Sequence, residues 1–239
     1  MKKNLILLMA TLLLPTLLRA QGSMENILHE AQKITWKTPK DSLQKIINYM
    51  NNHPINDYHY LYWNAYAHYM EYFNYKLTIP SEEKKAKNCL EQASKILSKI
   101  AKPNSETLAL QSLIEGLKLN FTNVFLLPIK AGKVGKLAER AIDLNPKNPR
   151  AYYALAIYDF YTPKMYGGRK VVESNLVKAI SLSSTIHENS KEPNWGISES
   201  YLFLIRFFKE ENQKNKAQQY LQEAKNKFPE NTTFLQFKL

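Results

Sequence analysis

The residues of this chain that could do chemistry are few and scattered. Its five histidines are His29, His53, His59, His68 and His187. Two of them open a His-Glu pair, but His29-Glu30 and His187-Glu188 both lack the second histidine four places on that a zinc-binding helix needs. His68-x2-Glu71 puts an imidazole and a carboxylate on one helical face, and a single pair of this kind is half a metal site at most. Cys89 is the only cysteine. It excludes an intrachain disulfide, and beside Leu90 on an apolar face it reads as a small packing residue. Gly132-Lys133-x-Gly135-Lys136 has the look of a phosphate loop. That loop needs glycine where Lys130 stands and Ser or Thr where Leu137 stands. No serine sits in a G-x-S-x-G turn, and acids such as Glu115 and Asp159 fall on helices with no evident partner. The expectation is a protein that binds rather than catalyses, with no metal and no cofactor.

The elements that would position any site are helices. Seven glycines in 239 residues, and prolines that fall between apolar-periodic runs, leave helical segments near 24–37, 41–52, 57–77, 81–100, 105–121, 129–145, 149–162, 169–183, 197–211, 214–228 and 232–238. Ser81 ahead of Glu82 and Glu83 reads as a helix cap, and Asn148-Pro149 puts proline at a first helical position. Gly167-Gly168 reads as a turn and helix start. No alternating run marks a strand, so the fold class is all-α.

The ends carry separate information. Lys2-Lys3, an apolar run from Leu5 to Leu18, and Ala20 before Gln21-Gly22-Ser23 have the layout of a cleaved secretory signal over 1–20. No cysteine follows for lipid attachment. Residues 21–239 then form a single helical domain, periplasmic or secreted, with no transmembrane segment. The net charge of +12 falls to +9 once Lys2, Lys3 and Arg19 leave. Only five of the 33 basic residues are arginine, and the lysines are dispersed among acids, which argues against nucleic acid as a partner. Lys130, Lys133, Lys136 and Arg140 form one basic strip at near-helical spacing.

The helices come in pairs. Tyr201-x2-Leu204, Phe208, Ala217-x3-Leu221-x2-Ala224 and Pro229 set large residues on one helix, small ones on the next, and a proline stop. Ala86-x3-Leu90-x2-Ala93, Leu137-Ala138 with Ala141, and Val172 with Leu176-x2-Ala179 repeat the small-residue helix. Trp63-x2-Tyr66-Ala67-x2-Met70 and Tyr152-x2-Leu155-Ala156 repeat the large one. Small residues let paired helices approach closely. The second alanines are 48, 38 and 45 residues apart, against ~34 for strict tandem copies, so the pairs are irregular.

On these motifs the chain over 57–230 resembles the tetratricopeptide repeat family, in particular exported bacterial members with insertions between paired helices. The stretch Asn145-Pro146-Lys147-Asn148-Pro149-Arg150-Ala151-Tyr152, with Pro163-x3-Gly167-Gly168 and Trp195-Gly196 later, is also similar to tetratricopeptide-like accessory subunits of TRAP-type solute transporters. Two features depart: Ile205 stands where the family has a small residue, and those subunits are lipoproteins. The resemblance implies an α-solenoid of stacked antiparallel helix pairs whose first helices line a concave groove. Counted from Trp63, Tyr152 and Tyr201, the groove positions are Asn64, His68 and Tyr72; Tyr153, Ile157 and Tyr161; Leu202, Arg206 and Glu210, with Glu71 and Lys209 on the same edge. It implies an exported interaction scaffold for a peptide or protein partner in the cell envelope. The alternative is a small-solute-binding accessory subunit of a transporter. Nine aromatics crowd 58–75, so that helix is either central in the bundle or lines the cleft.

Overall fold

Prolines and asparagines set the helix starts. Pro149 takes a first helical position and the Asn148 side chain accepts from the Arg150 N–H. Asn104 caps the helix Ser105–Lys118 in the same way, accepting from the Thr107 N–H. At Pro80 the sequence expectation needs correcting. The proline itself opens the helix after Ile79, so Ser81 lies inside it and caps nothing. Glu82 faces back instead and accepts from the Lys76 N–H at 2.7 Å.

The computed structural model describes residues 23–183 and 191–238. All regular structure in this span is helical. The signal assigned to 1–20 and His187 lie outside the described residues. The elements are α1 over 23–32, α2 Lys40–Asn52, α3 Tyr58–Glu71, α4 Pro80–Leu97, α5 Ser105–Lys118, α6 Leu127–Leu144, α7 Pro149–Tyr161, α8 Val172–Ser181, α9 Ile197–Glu210, α10 Lys214–Lys227 and the short α11 Thr232–Leu235. Short 3₁₀ turns replace the last residues expected of α3 and α5, at Tyr72–Asn74 and Leu119–Phe121. Within the span 21–239 read as one domain, the helices fall into two compact units, one up to Lys99 and one from Ile100.

In the first unit α2 and α4 both pack on α3. Leu43, Ile47 and Met50 form one buried stripe of α2. Ala86, Leu90 and Ala93 of α4 are wholly buried at the spacing expected of a close-packing second helix. From Tyr60 to Glu71 every residue of α3 is buried. The central-bundle reading of the aromatic segment therefore holds for this helix.

The second unit is a run of antiparallel pairs, and its side-chain hydrogen bonds fix the directions. Ser105 Oγ donates to the Ala141 carbonyl at 2.6 Å and Ser112 Oγ to that of Val134 at 3.0 Å, so α5 starts where α6 ends. Asn148 Nδ2 donates to Ser105 Oγ at 2.8 Å, and Arg150 clasps Glu106 through Nε and Nη2, each at 2.6 Å, so α5 and α7 start together. Arg150 Nη1 also reaches the Trp195 carbonyl at 3.0 Å, which brings the start of α9 to the same end. The last pair packs as its motif requires, with Leu204, Phe208, Ala217, Leu221 and Ala224 all buried. Ile205, the departure from the family's small residue, is fully buried as well. The glycines of the phosphate-loop lookalike lie inside α6. A Cβ on Gly135 would sit 2.7 Å from the Tyr158 ring, so that glycine lets α6 approach α7.

Candidate functional site

The groove positions of α3 are drawn into an internal polar network. Asn64 Nδ2 donates to Asn51 Oδ1 at 3.3 Å, and Asn51 Nδ2 faces His68 Nε2 at 3.4 Å. With Nε2 so engaged, His68 turns Nδ1 toward Glu71 Oε2 at 3.6 Å, an ion-pair distance rather than a hydrogen bond. Glu71 collects further donors: Cys89 Sγ at 3.3 Å, the Tyr75 hydroxyl at 3.1 Å and Gln44 Nε2 at 3.4 Å. Burial alone would raise the Glu71 pKa, but His68, Cys89, Tyr75 and Gln44 outweigh it and hold the carboxyl at about 2. Burial, followed by the neighbouring Glu71 charge, pushes the Cys89 thiol up, which fits a packing residue rather than a nucleophile. Asn64, His68, Glu71 and Tyr72 are each less than a tenth exposed. Among the described residues no group of three or more His, Cys, Asp or Glu could hold a metal ion.

The α7 and α9 positions form a different kind of surface. Tyr153 is buried, edge-on to Trp195 at 6.2 Å and to Phe203 at 6.0 Å. One and two turns on, Ile157 is half-buried and Tyr161 is 61% exposed. Leu202 and Arg206 of α9 are half-buried. The Arg206 guanidinium lies over Phe160 at 5.3 Å and over Phe203 at 5.2 Å. Arg169 covers Phe160 at 4.6 Å and donates to Glu210 and to Glu211, the latter at 3.0 Å. Lys164 and Arg169 together hold the Glu211 carboxyl below the usual range. Of the eleven proposed groove residues, the structure thus places Tyr153, Ile157, Tyr161, Leu202, Arg206, Lys209 and Glu210 along α7 and α9 of the second unit. It places the other four inside the first.

The turn after α7 adds residues that the groove register missed. Gly167 has φ 88°, and a Cβ on Gly168 would meet the Thr162 carbonyl at 1.9 Å, so two glycines are required to fold the chain back. Asp159 then has the partners that its sequence context did not show. Its carboxylate accepts from the Val171 N–H at 2.7 Å, and its carbonyl from the Arg169 N–H at 3.0 Å. Glu115 likewise pairs with Lys118 at 2.9 Å. The turn projects Met165, 82% exposed, and Tyr166, 74% exposed, next to Tyr161 in the chain. A large apolar pair between Pro163 and Gly167 has no helical period to bury it, and that was the available sequence signal.

Aromatic faces crossed by guanidinium groups, with exposed Tyr and Met at a glycine-bounded turn, make this the part of the second unit where rings and cations lie together at the surface. The chain is an all-α fold of sequential antiparallel helix pairs. No protein-family model matches the sequence, and no curated protein matches it. Among solved structures it is similar to the HusA haemophore from Porphyromonas gingivalis, with a TM-score of 0.61 and 22% identity over 80% of this chain and 93% of that one. It also aligns with YrrB, a tetratricopeptide protein described as having an unusual peptide-binding site, at a TM-score of 0.36 and 15% identity over 81% of this chain and 89% of that one. Among the described residues no helix is long and apolar enough to cross a membrane.

Proposed function

We propose that the protein is an exported, non-enzymatic binding scaffold whose capture surface is the α7–α9 face of its second unit. The observation that carries this reading is the exposure of Tyr161 against Phe160 and Phe203, the rings that Arg169 and Arg206 also cover, with exposed Met165 and Tyr166 in the turn that follows in the chain. Side chains of this size stand in water only at a cost, and contiguous exposed ones mark interaction sites. Tyrosines suit capture because their large rigid rings lose little freedom on binding. The ligand class that fits is flat and apolar with acidic groups at its edge. Rings stack on the tyrosines, and carboxylates meet exposed Lys170 and the Arg206 guanidinium, which Glu210 approaches only to 3.5 Å.

Haem has this chemistry, and Tyr and Met are both among the side chains that ligate its iron. The likeness of the fold to a haemophore makes it the first compound to test. Haemin is titrated into the protein and the Soret band is followed. The expected result is a saturable spectral change that weakens about ten-fold or more in the Tyr161→Ala, Tyr166→Ala double variant. No spectral change, or an unchanged affinity in the double variant, removes haem from the reading.

The second reading keeps the same face and exchanges the ligand for a peptide segment of an envelope protein. Ile157 and Leu202, half-exposed on that face, favour it. Crosslinking in the intact envelope from a photoreactive residue at 157 tests it. Export itself is tested by N-terminal sequencing, with Gln21 as the expected first residue.

A further inference from the structure

The α5–α6 turn of the second unit carries a surface that the capture reading does not use. Asn123 caps a single 3₁₀ turn, Val124–Leu126, accepting from the Phe125 N–H at 3.0 Å through its side chain and from the Leu126 N–H at 3.0 Å through its carbonyl. The turn is therefore built rather than frayed, and what it holds out is apolar. Val124 is 67% exposed, Phe125 85%, Leu126 49%, and Ile129 in the first turn of α6 63%. A core helix does not spend four such residues on solvent.

Immediately behind this tip come Lys130, Lys133 and Lys136, all exposed and none in an ion pair among the described residues. At 1.5 Å per residue they span about 9 Å of helix. Ile129, Lys133 and Lys136 are spaced i, i+4 and i+7, so the last apolar residue of this patch and the charges share one face of α6. Glu139 is the next acid along it. The sequence shows the basic strip without an apolar partner. The structure supplies that partner by turning Val124–Leu126 outward at its foot.

We infer that this turn is a membrane-surface anchor: Phe125 and its neighbours enter the headgroup region of an anionic phospholipid bilayer while Lys130, Lys133 and Lys136 pair with lipid phosphates. The order of the two features decides the occupant. A protruding three-residue apolar tip has no walls to hold a small molecule, but it fits a fluid apolar layer. Exposed lysines standing about 1.5, 6 and 10.5 Å along α6 behind Ile129 face the negative surface potential of such a layer. The surface differs from the α7–α9 face in residues and in partner, and the inference does not depend on the ligand proposed there.

The test is co-sedimentation of the full chain with vesicles of phosphatidylcholine alone and of phosphatidylcholine with phosphatidylglycerol. Binding is expected to the anionic vesicles, to fall with added salt, and to weaken about five-fold for each of Lys130→Gln, Lys133→Gln and Lys136→Gln. Phe125→Asp is expected to weaken it about ten-fold or more. All four positions are exposed, so circular dichroism is expected to show unchanged folding. Equal affinity for both vesicle types overturns the inference, and so does a Phe125→Asp variant that binds like the parent, which also covers any binding through residues 1–20. Tyr161→Ala is expected to bind vesicles normally. If it does not, the two surfaces are one and the anchor is discarded.

Discussion

Helices α3 and α7 look alike on paper and behave oppositely in the molecule. Each is a tyrosine-rich first helix with aromatics on nearly every side. In α3 everything from Tyr60 onward is buried, and even the polar tips stay inside: the Tyr60 hydroxyl donates to the His53 carbonyl at 2.7 Å. In α7 burial depends on the face: Tyr153 and Phe160 are each 2% exposed, whereas Tyr161 is 61% exposed. The difference lies in what closes each helix. The chain leaves α3 through a 3₁₀ turn that keeps Tyr72 buried and leaves Tyr75 donating to Glu71. It leaves α7 through Gly167 and Gly168, which fold it back over Phe160 but leave Tyr161 uncovered. Aromatic density therefore marks structural weight, and the exit turn decides whether some of it is left for a ligand.

The harshest way to test the contrast is to remove a ring from the closed helix. Trp63 is wholly buried and edge-on to Tyr62 at 5.7 Å and Tyr66 at 5.4 Å. Trp63→Ala is expected to destabilise the first unit by about 3–5 kcal/mol. Equilibrium denaturation followed by circular dichroism reads this without relying on the lost fluorophore. A loss below about 1 kcal/mol would mean that α3 is loosely packed and open after all.

Acid is a gentler probe of the same helix. The folded Glu71 pKa of about 2 lies below its ordinary 4.5. A depressed carboxyl contributes stability that is fully present above pH 4.5 and is lost as the pH falls toward 2. The shift corresponds to roughly 3 kcal/mol. Stability measured between pH 6 and pH 2 is expected to fall more steeply in the parent than in Glu71→Gln. Parallel curves would show that the donors around Glu71 do not act on its charge.

The pairing of helices, the close-packing alanines and the caps at Asn148-Pro149 were legible in the sequence because they rest on local rules: periodicity, side-chain size and proline geometry. Ser81 was misread because serine and proline both suit a helix start, and the proline one place earlier claimed it. The groove register lands on residues of α7 and α9 that differ in exposure, from buried Tyr153 to Tyr161 in water, and on buried residues throughout α3, where nine aromatics give no face that stands out. Whether His68 and Glu71 face water depends on Gln44, Asn51 and Cys89, which come from other helices. No spacing within α3 encodes that. Met165, Tyr166 and Phe125 escaped notice because they sit in turns, where periodicity has nothing to say about burial.

The smallest stability effect is expected where the proposed function is concentrated. Tyr161 touches Phe160 at 5.1 Å and Phe203 at 6.3 Å, yet most of its surface faces water, so little burial is lost on truncation. Met165 has even less to lose. Tyr161→Ala and Met165→Ala are each expected to change stability by no more than about 0.5 kcal/mol, the range of ordinary surface substitutions. A ligand stacked on Tyr161 would cover the ring that the fold leaves bare, so affinity and stability should come apart at these two positions. At Tyr153, edge-on to Trp195 and Phe203, they should fall together. Paired measurement of denaturation midpoint and haemin affinity across Tyr153→Ala, Tyr161→Ala and Met165→Ala separates the two behaviours. If Tyr161→Ala destabilises as much as Tyr153→Ala, the aromatic end of α7 is core in the same sense as α3, and the distinction between the two helices fails.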